Sequence, residues 1–506
     1  MNNQKGQALP MAILALAIGA LVVVPFLSHA GTSILSSRVY AEEIGSRTAS
    51  DAGVEHAIWS LKNGTLAEQI PGPGDQIIYQ VTEPLNGVTP TVTVTTDAIA
   101  SGIVGDIDTP VIDSLIFDNT FCNIPGIINV SGNIYAIAYQ GPSSDGFLKT
   151  VEIAPDGIIT NSAIDTLEFD IADCVNPDII HISGDTFAIA YTGSQGDGFL
   201  RTVTINAAGT IGNTVIDTFE FDTADGNDPD IVFVSGDYYA IAYRGQASDG
   251  FLRTMTINAA GAIGNFITDT LEFDPGNCLQ PDIENVAGSI FQIAYQGASA
   301  DGFLKSVSIA ANGNIGNSVI DTIEFNTADC AYPDIIHISG DVYAIAYTGS
   351  GNDGFLTTMT VTAAGVISNN TIATFEFDNA NGLEPRIIYL SGNIYAVVYD
   401  GPQNDGWIIT LPVETNGTIP GTVIDSFEYD TGNGNFPSVL LISDGVLAVA
   451  YCNPSSRGSL ATIGINTDPG VDSYEIRSAA GGIIIRALIN INPDTRVTTI
   501  TSWSVQ

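Results

Sequence analysis

Aspartate is the residue type through which this chain could do chemistry. Asp222, Asp225, Asp228 and Asp230 crowd into FDTADGNDPD (221–230). Hard divalent cations such as Ca²⁺ favour several carboxylate and carbonyl oxygens of this kind. Asp145, Asp197, Asp249, Asp301, Asp353 and Asp405 recur at intervals of 52 residues and are expected on the same face as that loop. None of these loops has calcium-loop spacing, and Asp-Gly also makes turns by bonding its own backbone. A Ca²⁺ site and a solvated turn are both open readings. A second set, Asp178, Asp230, Asp282 and Asp334, follows a recurring proline, and Arg386 holds the same place in the sixth copy. Such residues could ring the mouth of a central channel and hold a cation or basic group, a hydrated mouth being the alternative.

Other reactive types read as structural. Lys149, Arg201, Arg253 and Lys305 recur on one strand, with Glu168, Glu220, Glu272 and Glu324 expected opposite on the next. Such cross-strand pairs contribute about 0.2–1 kcal/mol each. Cys122, Cys174, Cys278 and Cys330 share one repeat position and Cys452 holds another; buried free thiols are expected. His181 and His337 are the same repeat position, and no phosphate loop, nucleophile elbow or zinc motif occurs. A catalytic site needs different residue types in defined geometry, so no enzyme is expected. The breaks in symmetry are Arg244, Arg386, Trp407 and Arg457. Arg386 and Trp407 join the candidate ligand-binding residues.

The elements that position these residues repeat. Tyr139, Tyr191, Tyr243, Tyr295, Tyr347, Tyr399 and Tyr451 end IAY, VVY or VAY at intervals of 52. Pro125 through Pro437 and Gly146 through Gly458 keep the same period. The second copy reads as four strands, DIIHIS (178–183), TFAIAYTG (186–193), GFLRTVTIN (198–206) and VIDTFEFD (215–222). Alternation, β-branched and aromatic content, and Gly-containing turns favour strand over helix. Four strands per copy predict a blade, and seven copies a closed, mainly β, seven-bladed β-propeller over 111–470. VIDSLIFD (111–118) precedes the first full copy and the last copy lacks its outer strand. The phase therefore predicts closure by mixing strands from both ends, which hides two sheet edges. Residues 76–96 and 474–506 fall outside the period and are expected to pair, as the sheet of a small α+β domain (76–110 with 471–506) into which the propeller is inserted.

Residues 8–27, ALPMAILALAIGALVVVPFL, carry no charge. A helix of ~20 apolar residues spans a bilayer core of about 30 Å, so a membrane span is expected there. Lys5 before it favours a cytoplasmic amino terminus with the rest outside. Helical spacing continues through Ile34, Val39, Ile44, Val54, Ile58 and Leu61, with Arg38 and Glu42 four apart, to a stop near Asn63-Gly64. A short basic leader ending in Gly6, the apolar stretch and an amphipathic helix containing SDAGVE (50–55) resemble type IV pilin-like proteins, closest to minor pilins with a PilX-type amino terminus. The resemblance covers residues 1–62. It implies peptidase cleavage after Gly6, leaving Gln7 first, and packing with other pilin-like subunits. Met11 stands where most pilins have glutamate, which the resemblance links to a tip or non-polymerising role.

The net charge of −42 is concentrated in 111–470, with 43 acids and 7 bases. A surface of this kind excludes nucleic-acid binding by phosphate neutralisation. The combined expectation is a cell-surface or pilus-associated binding or adhesion protein whose propeller meets a surface polymer or protein. A structural surface-layer component and an exported carbohydrate-active propeller enzyme are the alternatives.

Overall fold

The computed structural model describes residues 38–63, 66, 69–70, 74–81, 84, 87–99, 104–467, 472–491 and 498–505. The 8–27 span and the Gly6-Gln7 processing site lie outside them. Among the described residues no helix is long and apolar enough to cross a membrane. Two compact units emerge, one from the described residues within Met1–Gly102 and Asp468–Gln506, the other from those within Ile103–Thr467.

In the first unit a helix over 38–62 ends at Asn63, whose backbone and side-chain amides both donate to Trp59 O. The expected Arg38–Glu42 pair forms at 3.0 Å on an exposed face. Val54, Ala57 and Leu61 bury against Val92, Val94, Tyr474, Ile476, Ile485 and Ile489 of a five-stranded antiparallel sheet. Its order is Gln76–Gln80, Thr91–Ile99, Asp472–Ala480, Ile483–Ile491, Thr498–Val505, so the segments on either side of the repeats do pair, with Val94 opposite Ile476. Gly53 lets the helix approach: a Cβ there would lie 2.1 Å from Ser478 Oγ.

The second unit is propeller-like. The repeats form seven four-stranded antiparallel sheets, making eight sheets in the described chain with the five-stranded one. The second copy runs Val175–Ser183, Thr186–Thr192, Gly198–Thr204 and Asp217–Asp222. Its second strand is buried along its whole length because neighbouring sheets cover both faces. The alternation in FAIAY then has a packing meaning. Phe187, Ile189 and Tyr191 fill the space beside Ala136 and Ala138 of the preceding blade, while Ala188 and Ala190 receive Tyr239, Ile241 and Tyr243 of the next. Large against small recurs around the ring, including Ala448 and Ala450 against Tyr135, Ile137 and Tyr139.

Closure mixes both ends, with Asp113–Asp118 pairing antiparallel to Gly458–Gly464 as the outer strand of the last blade. The ring also draws in residues before 111. Thr150 Oγ1 donates to Gly209 O at 2.6 Å, and equivalent bonds run from Thr202, Thr254, Ser306 and Thr358 to the next blade. Thr410 completes the series on Gly105 O and Thr462 on Gly157 O. Gly105 thus supplies the loop carbonyl that the last copy lacks.

The charged ladder differs from the sequence expectation. Lys149 lies opposite Thr166, and Glu168 lies opposite Phe147, because a bulge between Gly146 and Phe147 shifts the register. The cations reach into the preceding blade instead. Lys149 binds Asp118 at 2.9 Å, Arg201 binds Asp170 at 3.0 Å, Arg253 binds Asp222 at 3.0 Å and Lys305 binds Asp274 at 2.9 Å. The same carboxylates accept from Tyr139, Tyr191, Tyr243 and Tyr295. All five cysteines are buried and free, as the spacing suggested.

Removing an anchoring carboxylate leaves a half-buried cation and a buried hydroxyl without their acceptor, a loss of about 3 kcal/mol. Asp222→Ala should therefore lower the unfolding free energy on urea titration by that order. Glu220→Ala on the same strand, away from the cations, should stay within about 0.5 kcal/mol. Equal, small effects would show that the interblade pair is not what holds these sheets together.

Candidate functional site

The site begins with a proline that cannot donate to a sheet ladder and is tolerated at bulges. Each inner strand carries one, and the ladder skips there, as between Asn227 and Asp230 or between Leu279 and Asp282. The residue before each proline adopts positive φ in all seven copies: Ile124, Asn176, Asp228, Gln280, Tyr332, Glu384 and Phe436, at 46 to 52°. Such backbone is costly for side chains with a Cβ, and more so for β-branched Ile124. Bulges re-aim side chains. Here both neighbours of the proline line one axial cavity of about 340 Å³, to which all seven copies contribute.

Two tiers of side chains result. After the prolines come Gly126, Asp178, Asp230, Asp282, Asp334, Arg386 and Ser438; before them stand seven different residues. The structure therefore brings together Asp178, Asp230, Asp282, Asp334 and Arg386, as the sequence suggested. Apart from Asp228, singled out as a metal candidate, the tier before the prolines was missed. Its signal was present in the sequence, since seven copies with one period differ completely beside an invariant proline.

Each ring aspartate also ties two blades. Asp178 Oδ2 accepts the Ile231 N–H at 2.9 Å, Asp230 that of Ile283 at 2.6 Å, Asp282 that of Ile335 at 2.7 Å and Asp334 that of Ile387 at 2.7 Å. Arg386 donates to Asp334 Oδ1 at 3.2 Å. The upper tier is linked likewise, with Asn176 bonded to Asp228, Gln280 accepting from Tyr332 N and Glu384 from Phe436 N. Each of these carboxylates keeps lone pairs for a ligand.

Crowding of like charge in a confined space shapes their protonation. Burial raises Asp178 and Asp334, and burial with Asp178 and Asp282 beside it raises Asp230 well above the usual range. Burial pushes Asp282 up to about 7, with Asp334 adding to it, and Glu384 up to about 8. Burial alone would lower Arg386, but Asp334, Asp282 and Asp230 outweigh it and hold its pKa above the ordinary value. Near neutrality this site holds carboxyls that a cation would ionise.

The other expected residues go elsewhere. Asp222, Asp225, Asp228 and Asp230 do not form a metal site, because the strand break divides them between two blades. Asp222 serves Tyr243 and Arg253, while Asp228, paired with Arg244 at 3.3 Å, and Asp230 line the cavity. Among the described residues no group of three or more His, Cys, Asp or Glu is placed to hold a metal ion. Trp407 does not reach the cavity either. It occupies the position of Phe147 and Phe199, with its ring so near Gly401 that a Cβ there would lie 2.2 Å away. Asp145, Asp197 and Asp301 follow short 3₁₀ turns and interact with Glu168, Glu220 and Glu324, three of the glutamates expected to meet the cations, and Asp405 interacts likewise with Glu428.

No family model matches the sequence, a pilin-like one included, and no curated protein matches it. Among solved structures, Sqt1 from Chaetomium thermophilum aligns at 10% identity and a TM-score of 0.46, over 70% of this chain and 99% of that one. BBS1N in complex with ARL6DN aligns at 9% identity and 0.43, over 73% and 99%. The NanB sialidase of Streptococcus pneumoniae aligns at 10% and 0.40, over 70% and 71%. The propeller-like architecture rests on the strand pairing rather than on these likenesses.

The raised carboxyls set a pH dependence. Their unfolded values are about 4, so the stability they contribute is complete below that and is lost as pH rises through about 7 for Asp282 and about 8 for Glu384. Asp118 runs the other way. Burial would raise it, but bonds from Thr120, Tyr139 and Lys149 hold it down to about 2. Its contribution is present above about pH 4 and lost as pH falls through 2. Melting scans should therefore peak on the acid side of neutrality and fall by several degrees toward pH 8.5, with Asp282→Asn flattening the fall. A wild-type melting temperature constant from pH 5 to 9 would contradict this.

Proposed function

We propose that the chain is a cell-surface or pilus-associated binding protein whose seven-bladed propeller receives a cationic group in its axial cavity. One observation carries the reading: all seven copies build a single cavity, lined by a repeated acid after the proline and by a residue before it that differs in every copy. Ligand sites are commonly concave, a few hundred Å³ in size and fitted with convergent polar groups. Six acids face one arginine there, namely Asp178, Asp228, Asp230, Asp282, Asp334 and Glu384 against Arg386. A protonated amine or a guanidinium, carried on a surface polymer or protein, suits that charge. Tyr332 and Phe436, 6.3 Å apart between ring centroids, offer an apolar wall beside it.

The uncharged run at 8–27 and the pilin resemblance of 1–62 support display from a membrane anchor or among pilin-like subunits. The backbone bonds of the ring aspartates favour a second reading, a structural surface-layer component in which the acids serve only as ties. Titration separates the two. Full-length protein should bind agmatine in a calorimeter, with heats that vary with buffer because protons leave the carboxyls, and protease added to intact cells should remove the ring. Asp230→Asn with Asp282→Asn should weaken that binding about tenfold or more. No binding by a folded wild type would leave the structural reading, and a ring protected on intact cells would contradict surface display.

A further inference from the structure

The seven interfaces between blades repeat one another except where the chain ends meet. At one position, where each inner strand begins, stand Cys122, Cys174, Gly226, Cys278, Cys330, Gly382 and Gly434. It faces the last residue of the preceding blade's second strand: Thr192 Oγ1 donates to Gly226 O and Thr348 Oγ1 to Gly382 O. By the same repeat geometry Gln140 faces Cys174, Arg244 faces Cys278, Gln296 faces Cys330 and Asp400 faces Gly434. Only at the closing junction do two cysteines meet, Cys452 from the last blade and Cys122 from the first. Their sulfurs are 3.5 Å apart, both residues are buried, and Cys122 N donates to Ser456 O at 2.7 Å in the turn after Cys452.

We propose that Cys122 and Cys452 are a modification site, oxidised to a disulfide that seals the ring. The sulfurs must close to about 2.05 Å, a movement small enough for two side chains whose backbones are already tied. With a small disulfide such as oxidised glutathione as oxidant, one cysteine thiolate attacks it, forming a mixed disulfide and releasing one glutathione thiolate. The second cysteine thiolate then displaces the other. Two thiol protons leave, and two electrons pass to the oxidant, which becomes two glutathione thiols. Burial, with Cys452 and Asp118 nearby, raises the Cys122 thiol, so exchange proceeds through opening of the closing blade, as during folding. The other interfaces are joined by continuous chain between consecutive copies. This one joins opposite ends of the ring by non-covalent contacts alone, and a cross-link spanning so long a segment restricts the unfolded chain most.

The test refolds the full chain with oxidised glutathione or with dithiothreitol and maps peptides under non-reducing conditions. The proposal expects a Cys122–Cys452 linked peptide, two hydrogens lighter than its parts. It also expects an unfolding midpoint higher in the oxidised sample by on the order of 5–10 °C. Cys122→Ser and Cys452→Ser should each remove both signals, and Cys174→Ser neither. Mapping of the wild type decides even if a serine variant fails to fold. Both thiols free after oxidative refolding, a link to another cysteine, or a link without a midpoint shift would overturn it.

Discussion

Adjacent blades are held by the aspartate that ends six of the seven outer strands. One oxygen of Asp170 caps its own turn at Ala172 N, and the other reaches Tyr191 and Arg201 of the next blade. Such a carboxylate is costly to bury, by several kcal/mol, unless donors surround it. Tyrosine and turn supply those donors at six interfaces, and a cation joins them at four. In the fifth copy Asn326 replaces the acid, and the cation is replaced too, by Thr357. Asp378 and Asp430 keep the acid and its tyrosine, with Ile409 and Ala461 in the cation's place.

This constraint leaves the inner strands free to vary. Packing of Ala against Phe, Ile and Tyr fills the space between blades, and the Thr-to-Gly bonds close the outer rim. The axial end of each inner strand carries little of that load, apart from one side-chain bond to the next blade. A bulge and a left-handed residue there turn two side chains per copy toward the axis. The contacts that hold the blades and the residues that line the cavity thus occupy different ends of the same repeat. The cavity acids do link the two, because each also bonds the next blade and ionising them weakens the ring.

The 52-residue period made much of this visible in advance. Strand order, closure by 111–118 and the pairing of 76–96 with 474–506 follow from phase and alternation, which are local properties. Contacts between blades are not local. Asp118 lies 31 residues before Lys149, and no period-2 rule points from one to the other, so glutamates on the adjoining strand looked the better partners. Asp222 and Asp230 are eight residues apart in the chain, yet they belong to different sheets and face different ways. The post-proline aspartates were legible because a repeated acid is easily noticed. Their neighbours were not, because a position that changes in every copy looks like noise until the backbone places it on the axis.

The central claim is that the axial cavity, rather than the acidic outer loops, is where a cationic group is received. Crystals of the full chain soaked with a small set of amines and guanidines test it most directly. The account predicts density on the axis, within hydrogen-bond reach of Asp178, Asp230 or Asp282. Density only at the outer loops around Asp145, Asp197 and Asp301, with the axis holding solvent alone, would contradict it.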